Sequence, residues 1–237
     1  ELGLTETRKQ LNYRCPSRVQ INRLEGFSDL YFGPLVGTTG ILNVFDLLPY
    51  SDGFLLRFPK KDQPEKLTEF VDQPKLFEIY KSYKLWGKRL NVTSAASLNQ
   101  LIHDRKESEF IDITETLQTK RISTIADEIL KKKSARIVLI AGPSSSGKTT
   151  TSKKLALQLE AIGYKPKVIS LDSYYLGRAQ TPKDENGNYD YECLEALNIE
   201  LLNQNLVDLF AGKQIKLPSY DFHAGVSYFK GDTMTLE

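Results

Sequence analysis

The strongest chemical signal in the chain is the run Gly142-Pro143-Ser144-Ser145-Ser146-Gly147-Lys148-Thr149-Thr150. Gly142 to Thr149 satisfy G-x-x-x-x-G-K-[ST] at every fixed position, and the context is the one this motif requires, an aliphatic strand pattern before it and an amphipathic helix pattern after it. Such a loop wraps its backbone N–H groups and a helix N-terminus around phosphate oxygens. Lys148 is placed to reach the β/γ oxygens of a nucleotide, and Thr149 can ligate Mg²⁺. Asp172 comes next, at the carboxyl end of a second aliphatic run, where ligands gather in open α/β sheets. A carboxylate there can take a proton from a hydroxyl or hold Mg²⁺ through water; an Asp in that position also serves as an ordinary helix cap.

The elements that must position these groups follow from the periodicity. Arg136 to Ala141 is a continuous aliphatic run, as in a parallel strand buried on both faces. The next helix carries Leu155, Leu159 and Ile162 on one side and ends near Gly163, and Lys167 to Leu171 supplies a second strand. This is a βαβ unit with a right-handed crossover. Upstream, Ile122, Ile125, Ala126, Ile129 and Leu130 recur at helical spacing, closing a helical stretch from about Ser97 to Lys133. Lys131, Lys132 and Lys133 lie where cations favour a helix C-terminus. From Arg18 to Pro59 short β segments alternate with turns, and Ser51-Asp52-Gly53 predicts a hairpin between Ile41–Leu48 and Phe54–Arg57. Leu76, Phe77, Tyr80, Tyr83, Leu85 and Trp86 predict one more helix.

Composition excludes several classes. The 32 Lys and Arg against 30 Asp and Glu leave a net charge of only +2, so nucleic acid is a disfavoured partner and a polybasic membrane surface is unsupported. No run of eighteen apolar residues is present, and Cys15 and Cys193 lie far apart, which predicts a cytoplasmic protein without a disulfide framework. Residues 1 to 134 hold only Cys15 and His103 as soft metal ligands, too few for a zinc site. His103 is expected on a helix surface and Cys193 in a small apolar niche. The single methionine, Met234, leads to the expectation that the chain is a piece of a longer protein.

The segment from Arg136 to Tyr175, with the phosphate loop followed by Asp172-Ser173-Tyr174-Tyr175, resembles the uridine kinase and phosphoribulokinase family of P-loop kinases. The resemblance continues through Thr181 to Tyr191 and Pro218-Ser219-Tyr220-Asp221-Phe222. Tyr31 to Pro59 and the helix ending at Lys133 are similar to a bacterial subgroup whose kinase follows a module related to the additional domain of threonyl-tRNA synthetase. The implied architecture is α/β: a partial P-loop NTPase-type parallel sheet preceded by a small α+β domain. Its expected bounds are 1–92 for the α+β module, 93–134 for a helical linker and 135–237 for the kinase domain.

The resemblance also implies roles. Gly142 to Thr150 would bind ATP phosphates, with Mg²⁺ held by Thr149 and, through water, by Asp172. Asp172 would be the general base. Tyr175, Asp190, Tyr220 and Phe222 would line the acceptor site, Asp190 toward ribose hydroxyls and the two aromatics at the nucleobase. On spacing alone Asp190, close to Asn186-Gly187, is turn chemistry. His223 follows Phe222 directly, whereas pyrimidine-recognising uridine kinases place a histidine a few residues further on. Only three strands are expected after Ala135, namely 136–141, 167–171 and 214–217, so the family's next strand and its arginine-bearing lid are expected to be missing. Part of the apolar sheet edge and the helix from Ile199 to Phe210 would then lack partners, and association, as in a homo-oligomer, or weak stability is expected. The implied activity is phosphoryl transfer from Mg-ATP to a hydroxyl of a uridine- or cytidine-like nucleoside. A sugar-phosphate kinase like phosphoribulokinase, and a nucleotide-binding interaction module without turnover, are the alternatives.

Overall fold

The computed structural model describes residues 5–13, 18–31 and 33–236, so Cys15 lies outside the described residues. Two compact units divide at Phe110 and Ile111. The first opens with helix α1 (Thr5–Leu11) and two antiparallel hairpins, β1 (Ile21–Leu24) with β2 (Phe27–Leu30) and β3 (Asp46–Tyr50) with β4 (Gly53–Arg57). The second hairpin turns at Ser51 and Asp52, as the Ser-Asp-Gly signal predicts, with Ser51 in the left-handed region at φ 52°. Helix α2 (Pro74–Arg89) starts with proline in its first turn, where the missing N–H costs nothing, and Phe77 packs edge-on against Tyr50.

The long helical stretch expected from Ser97 to Lys133 is two helices, α3 (Ala95–His103) and α4 (Glu107–Lys131). A reciprocal Ser94–Ser97 capping box starts α3, and Arg105, at φ 57°, breaks the chain before α4. Single-residue left-handed breaks leave no mark in hydrophobic periodicity. His103 ends α3 and is exposed.

In the second unit the C-terminal half of α4 carries Ile122 and Ala126, which bury against Leu155 of α5 (Lys148–Ala161), with Ile129 and Leu159 packed around them. Lys154 of α5 reinforces the pairing by donating to Gln118 at 2.7 Å and lying 3.7 Å from the Glu115 carboxylate. The helix that begins at the phosphate loop is thus held by the helix that precedes it in sequence. The apolar stripe predicted on α4 is narrower than its spacing implies, since Ile125 is exposed.

Helix α6 (Ile199–Phe210), capped by the Asn198 side chain, buries Leu209 against a hairpin of β5 (Ile215–Asp221) and β6 (Val226–Met234). This supplies the partner that the sequence alone left open for α6, although Val207 remains exposed. Arg136 adds a cation over the Phe210 ring at 4.3 Å.

One expectation is corrected. Among the described residues the sheets are three two-stranded antiparallel hairpins, and neither 136–141 nor 167–171 enters a ladder. Ile137, Val138, Leu139 and Ile140 are all exposed, Leu139 at 86%. Aliphatic composition marks a residue run that suits a buried strand, but a parallel ladder needs neighbours, and in doubly wound sheets successive strands are not always adjacent. The third expected strand, 214–217, is present and longer, as β5.

The best-buried large side chain is Tyr174, 1% exposed, in a single 3₁₀ turn over Leu171–Tyr174. Its hydroxyl accepts from Asn205 Nδ2 at 2.9 Å, and the same amide donates to the Lys216 carbonyl at 3.3 Å. That one contact ties the 3₁₀ turn to α6 and β5. Tyr174→Phe strips a buried amide of its better acceptor, so unfolding in urea should show a loss of about 1–2 kcal/mol. Adding Asn205→Leu should restore part of it, and an unchanged midpoint in the single variant would show that the hydrogen bond contributes nothing net.

Candidate active site

The phosphate loop is an exposed segment that ends where α5 begins. Gly147 occupies the helix N-cap at φ 84°, a left-handed conformation that a Cβ would strain, and no side chain caps the helix. The first N–H groups of α5 are therefore left for an anion rather than claimed by a Ser, Thr or Asp cap. Ser145 is also left-handed, at φ 59°, a strained setting for a residue with a side chain, and Ser146 N–H closes the turn onto the Pro143 carbonyl at 3.3 Å. Lys148 folds back over the loop, its Nζ donating to the carbonyls of Gly142 at 2.8 Å and Pro143 at 2.9 Å. A phosphate arriving there meets a preformed cation and a helix N-terminus. Thr149 is exposed on the first turn of α5, and Pro143, Ser144 and Thr150 are exposed as well. These features fit a nucleotide phosphate chain, with the Thr149 hydroxyl as the available Mg²⁺ ligand.

The second group of candidate residues is organised by the 3₁₀ turn that carries Asp172. Tyr174 is its buried anchor, Asp172 is exposed, and Tyr175 leaves the turn to form an isolated bridge with Leu197. The Tyr175 ring then meets Tyr220 at 5.6 Å, Phe222 at 6.2 Å and Tyr191 at 5.9 Å between centroids, and Tyr220 meets Phe222 at 5.0 Å. Tyr175, Arg178, Tyr191, Tyr220 and Phe222 enclose a pocket of about 200 Å³. Burial, followed by the charge of Asp172, raises the Tyr175 phenol above its ordinary value. That hydroxyl is consequently a neutral donor at physiological pH, directed to the Tyr191 carbonyl at 3.2 Å. Burial together with Tyr191 likewise raises Tyr220.

Of the residues expected in an acceptor site, the structure brings Tyr175, Tyr220 and Phe222 around one pocket, and Asp172 close enough to Tyr175 to act on its ionisation. Asp190 is next to the pocket residue Tyr191, but its carboxylate accepts the Glu192 N–H at 2.9 Å and its own N–H bonds to the Pro182 carbonyl at 2.8 Å. In the structure, then, Asp190 is a turn residue. His223 lies in the β5–β6 turn, exposed, with its backbone N–H on the Asp221 carboxylate at 2.8 Å, and it does not line the pocket. Cys193 is half-buried rather than buried, its thiol directed to the Asp190 carbonyl at 3.3 Å.

Two pocket residues escaped the sequence reading, Arg178 and Tyr191. Tyr191 was visible as the alternate aromatic of Tyr189-Asp190-Tyr191, and Arg178 as a lone cation in an aromatic-rich stretch. Neither signal is specific without the chain reversal that places β5 against the 3₁₀ turn.

A loop with the phosphate-binding pattern at a helix start, and an aromatic pocket beside a turn that presents a carboxylate, are thus carried by the same unit. Residues 137–234 match the model of the Phosphoribulokinase / Uridine kinase family. Among individual proteins the chain is similar to the uridine kinase of Macrococcus caseolyticus, 40% identical over 86 residues that make up 36% of this chain and 41% of that protein. It is 33% identical over 98 residues to the uridine kinase of Halobacterium salinarum, covering 41% of each chain. To the uridine kinase of Staphylococcus aureus it is 36% identical over 90 residues, 38% of this chain and 42% of that one. The chain thus spans about two fifths of the length of the curated relatives it matches.

Proposed function

We propose that the protein contributes to an ATP-dependent kinase that transfers a γ-phosphoryl group to a hydroxyl of a nucleoside acceptor of the uridine or cytidine kind. The observation that carries this reading is the joint presence, in one compact unit, of an uncapped helix N-terminus behind Lys148 and an aromatic pocket built around the Asp172 turn. The family match over 137–234 supports it. Mg-ATP supplies the electrophilic phosphorus and the metal that neutralises its oxygens. The protein's own part is to orient and to move one proton. The Gly142–Thr150 loop cradles the phosphates, Lys148 turns from the loop carbonyls to the phosphate oxygens, and Thr149 with Asp172, through water, holds the metal. Asp172 aligns the acceptor hydroxyl and takes its proton while Tyr175, Tyr220 and Phe222 enclose the base. For Asp190 to hold a ribose hydroxyl its carboxylate would exchange the Glu192 N–H for it, while His223, whose turn contact is made by its backbone, lies outside the pocket lining.

In this reading 136–141 and 167–171 are strands of a parallel sheet, 1–92 is an α+β module and 93–134 a helical linker. The protein works in the cytoplasm, as a homo-oligomer. No described helix is long and apolar enough to cross a membrane.

The test is ADP release from Mg-ATP with and without uridine, cytidine or ribulose 5-phosphate. Release that requires a nucleoside supports the proposal. Release only with the sugar phosphate moves the assignment to a phosphoribulokinase-like acceptor, and ATP binding with no acceptor-dependent release makes the protein a nucleotide-binding module.

A further inference from the structure

The aromatic pocket contains one cation that neither the phosphate chemistry nor the proton transfer uses. Arg178 lines the pocket with Tyr175, Tyr191, Tyr220 and Phe222. Its backbone is fixed there, because its N–H bonds to the Gly225 carbonyl at 2.8 Å. Its side chain, exposed on one side, lies across Gly225, where a Cβ would come within 2.7 Å of Nε and 2.9 Å of Cζ. Gly225, at φ 70°, is thus the one residue type that lets the β5–β6 turn pass beneath the guanidinium.

What surrounds that guanidinium is unusual for an arginine so placed. The guanidinium hydrogen-bonds to Tyr191, and the phenols of Tyr191, Tyr220 and Tyr189 favour its charged form. The phenol hydroxyls are themselves engaged, Tyr175 on the Tyr191 carbonyl and Tyr220 with Tyr191. A guanidinium has more N–H donors than one phenol can accept, and it carries them in a planar fork. The five lining residues therefore offer aromatic faces and spare cationic donors, and the carboxylate the pocket feels most through Tyr175 is that of Asp172.

We infer that Arg178 is the specificity-determining residue of the acceptor pocket, donating to an oxygen of the acceptor, a ring carbonyl or a phosphate oxygen, while the surrounding aromatics enclose the rest of the molecule. This rests on the kinase reading for the identity of the pocket. It goes further in fixing which acceptors are favoured: those that present a carbonyl or phosphate oxygen to a planar cation, over a bare pentose that offers only hydroxyl and ring oxygens. The two sources of that oxygen separate by experiment.

Uridine, ribulose 5-phosphate and ribose are titrated against the protein and its Arg178→Met and Arg178→Lys variants, with ATP titrated in parallel and ADP release measured on the same samples. Arg178→Met should weaken the favoured acceptor about 10- to 100-fold, as expected for loss of a charge-assisted hydrogen bond, leaving ATP affinity within about twofold. Arg178→Lys keeps the charge but loses the fork, and should fall between the two. In turnover the change should appear in KM for that acceptor, with kcat less affected. Loss confined to uridine assigns a ring carbonyl, and loss confined to ribulose 5-phosphate a phosphate. Equal affinity of wild type and Arg178→Met for both, weakening that extends equally to ribose, or failure of both acceptors to bind the wild type would overturn the inference. Acceptor binding that depends on Arg178 without any phosphoryl transfer would instead remove the kinase reading and leave this one in place.

Discussion

Asp172→Asn lowers turnover by about 10²–10⁴-fold and leaves ATP affinity within about twofold, if this carboxylate is the base that takes the acceptor proton. The substitution is nearly isosteric, so it tests charge and basicity rather than shape. Asp172 is exposed on its 3₁₀ turn, and the turn is anchored through the buried Tyr174–Asn205 contact rather than through Asp172 itself. Stability should consequently be unchanged. The Asn side chain can still hydrogen-bond to a hydroxyl, so acceptor KM should move less than kcat, the pattern of an interaction made in the transition state. Burst and steady-state kinetics with Mg-ATP and uridine would decide it. A kcat within threefold of wild type would strip Asp172 of the base role and return it to turn capping.

The phosphate loop was legible in the sequence because its chemistry is local. Gly147, Lys148 and Thr149 act through positions fixed by one turn and the start of one helix, and the structure places them at the N-terminus of α5 as the pattern requires. The β3–β4 hairpin and helices α2, α5 and α6 were legible for the same reason, since turn residues and helical spacing are short-range signals. Where the reading went astray, the missing information was long-range or confined to one residue. Aliphatic runs do not name their ladder partners, so the composition of 136–141 and 167–171 suits strands although neither is paired among the described residues. A lone left-handed Arg105 divides α3 from α4 without disturbing the apolar pattern.

The aromatic pocket shows the same boundary within a site. Tyr175, Tyr220 and Phe222 came from resemblance rather than periodicity, and the structure joins them through the pairing of Tyr175 with Leu197 and the position of β5. Arg178 and Tyr191 become pocket residues only through that same closure. Asp190 illustrates the converse, because its turn hydrogen bonds follow from the adjacent Asn-Gly signal while a ribose contact would have to replace them.

Lys148→Ala should separate nucleotide binding from folding. In the structure Lys148 Nζ bridges the carbonyls of Gly142 and Pro143, and both lie on an exposed loop where water can take its place. Losing those contacts should therefore shift stability by no more than about 0.5 kcal/mol, as for other exposed sites. With ATP bound the same cation faces phosphate oxygens, and a charge-assisted hydrogen bond of that kind contributes about 1.5–3 kcal/mol, or roughly 10- to 150-fold in affinity. Lys148→Arg keeps the charge but carries a planar fork longer than a loop built around a compact ammonium admits, so it should recover only part of the loss. Calorimetric titration with ATP, with and without Mg²⁺, beside a thermal melt of each variant, distinguishes the cases. Weakened, magnesium-dependent binding with an unchanged melt places Lys148 on the phosphates. Unchanged ATP affinity would mean that the ammonium remains on the Gly142 and Pro143 carbonyls when nucleotide is bound, leaving the uncapped start of α5 as the anion's main partner.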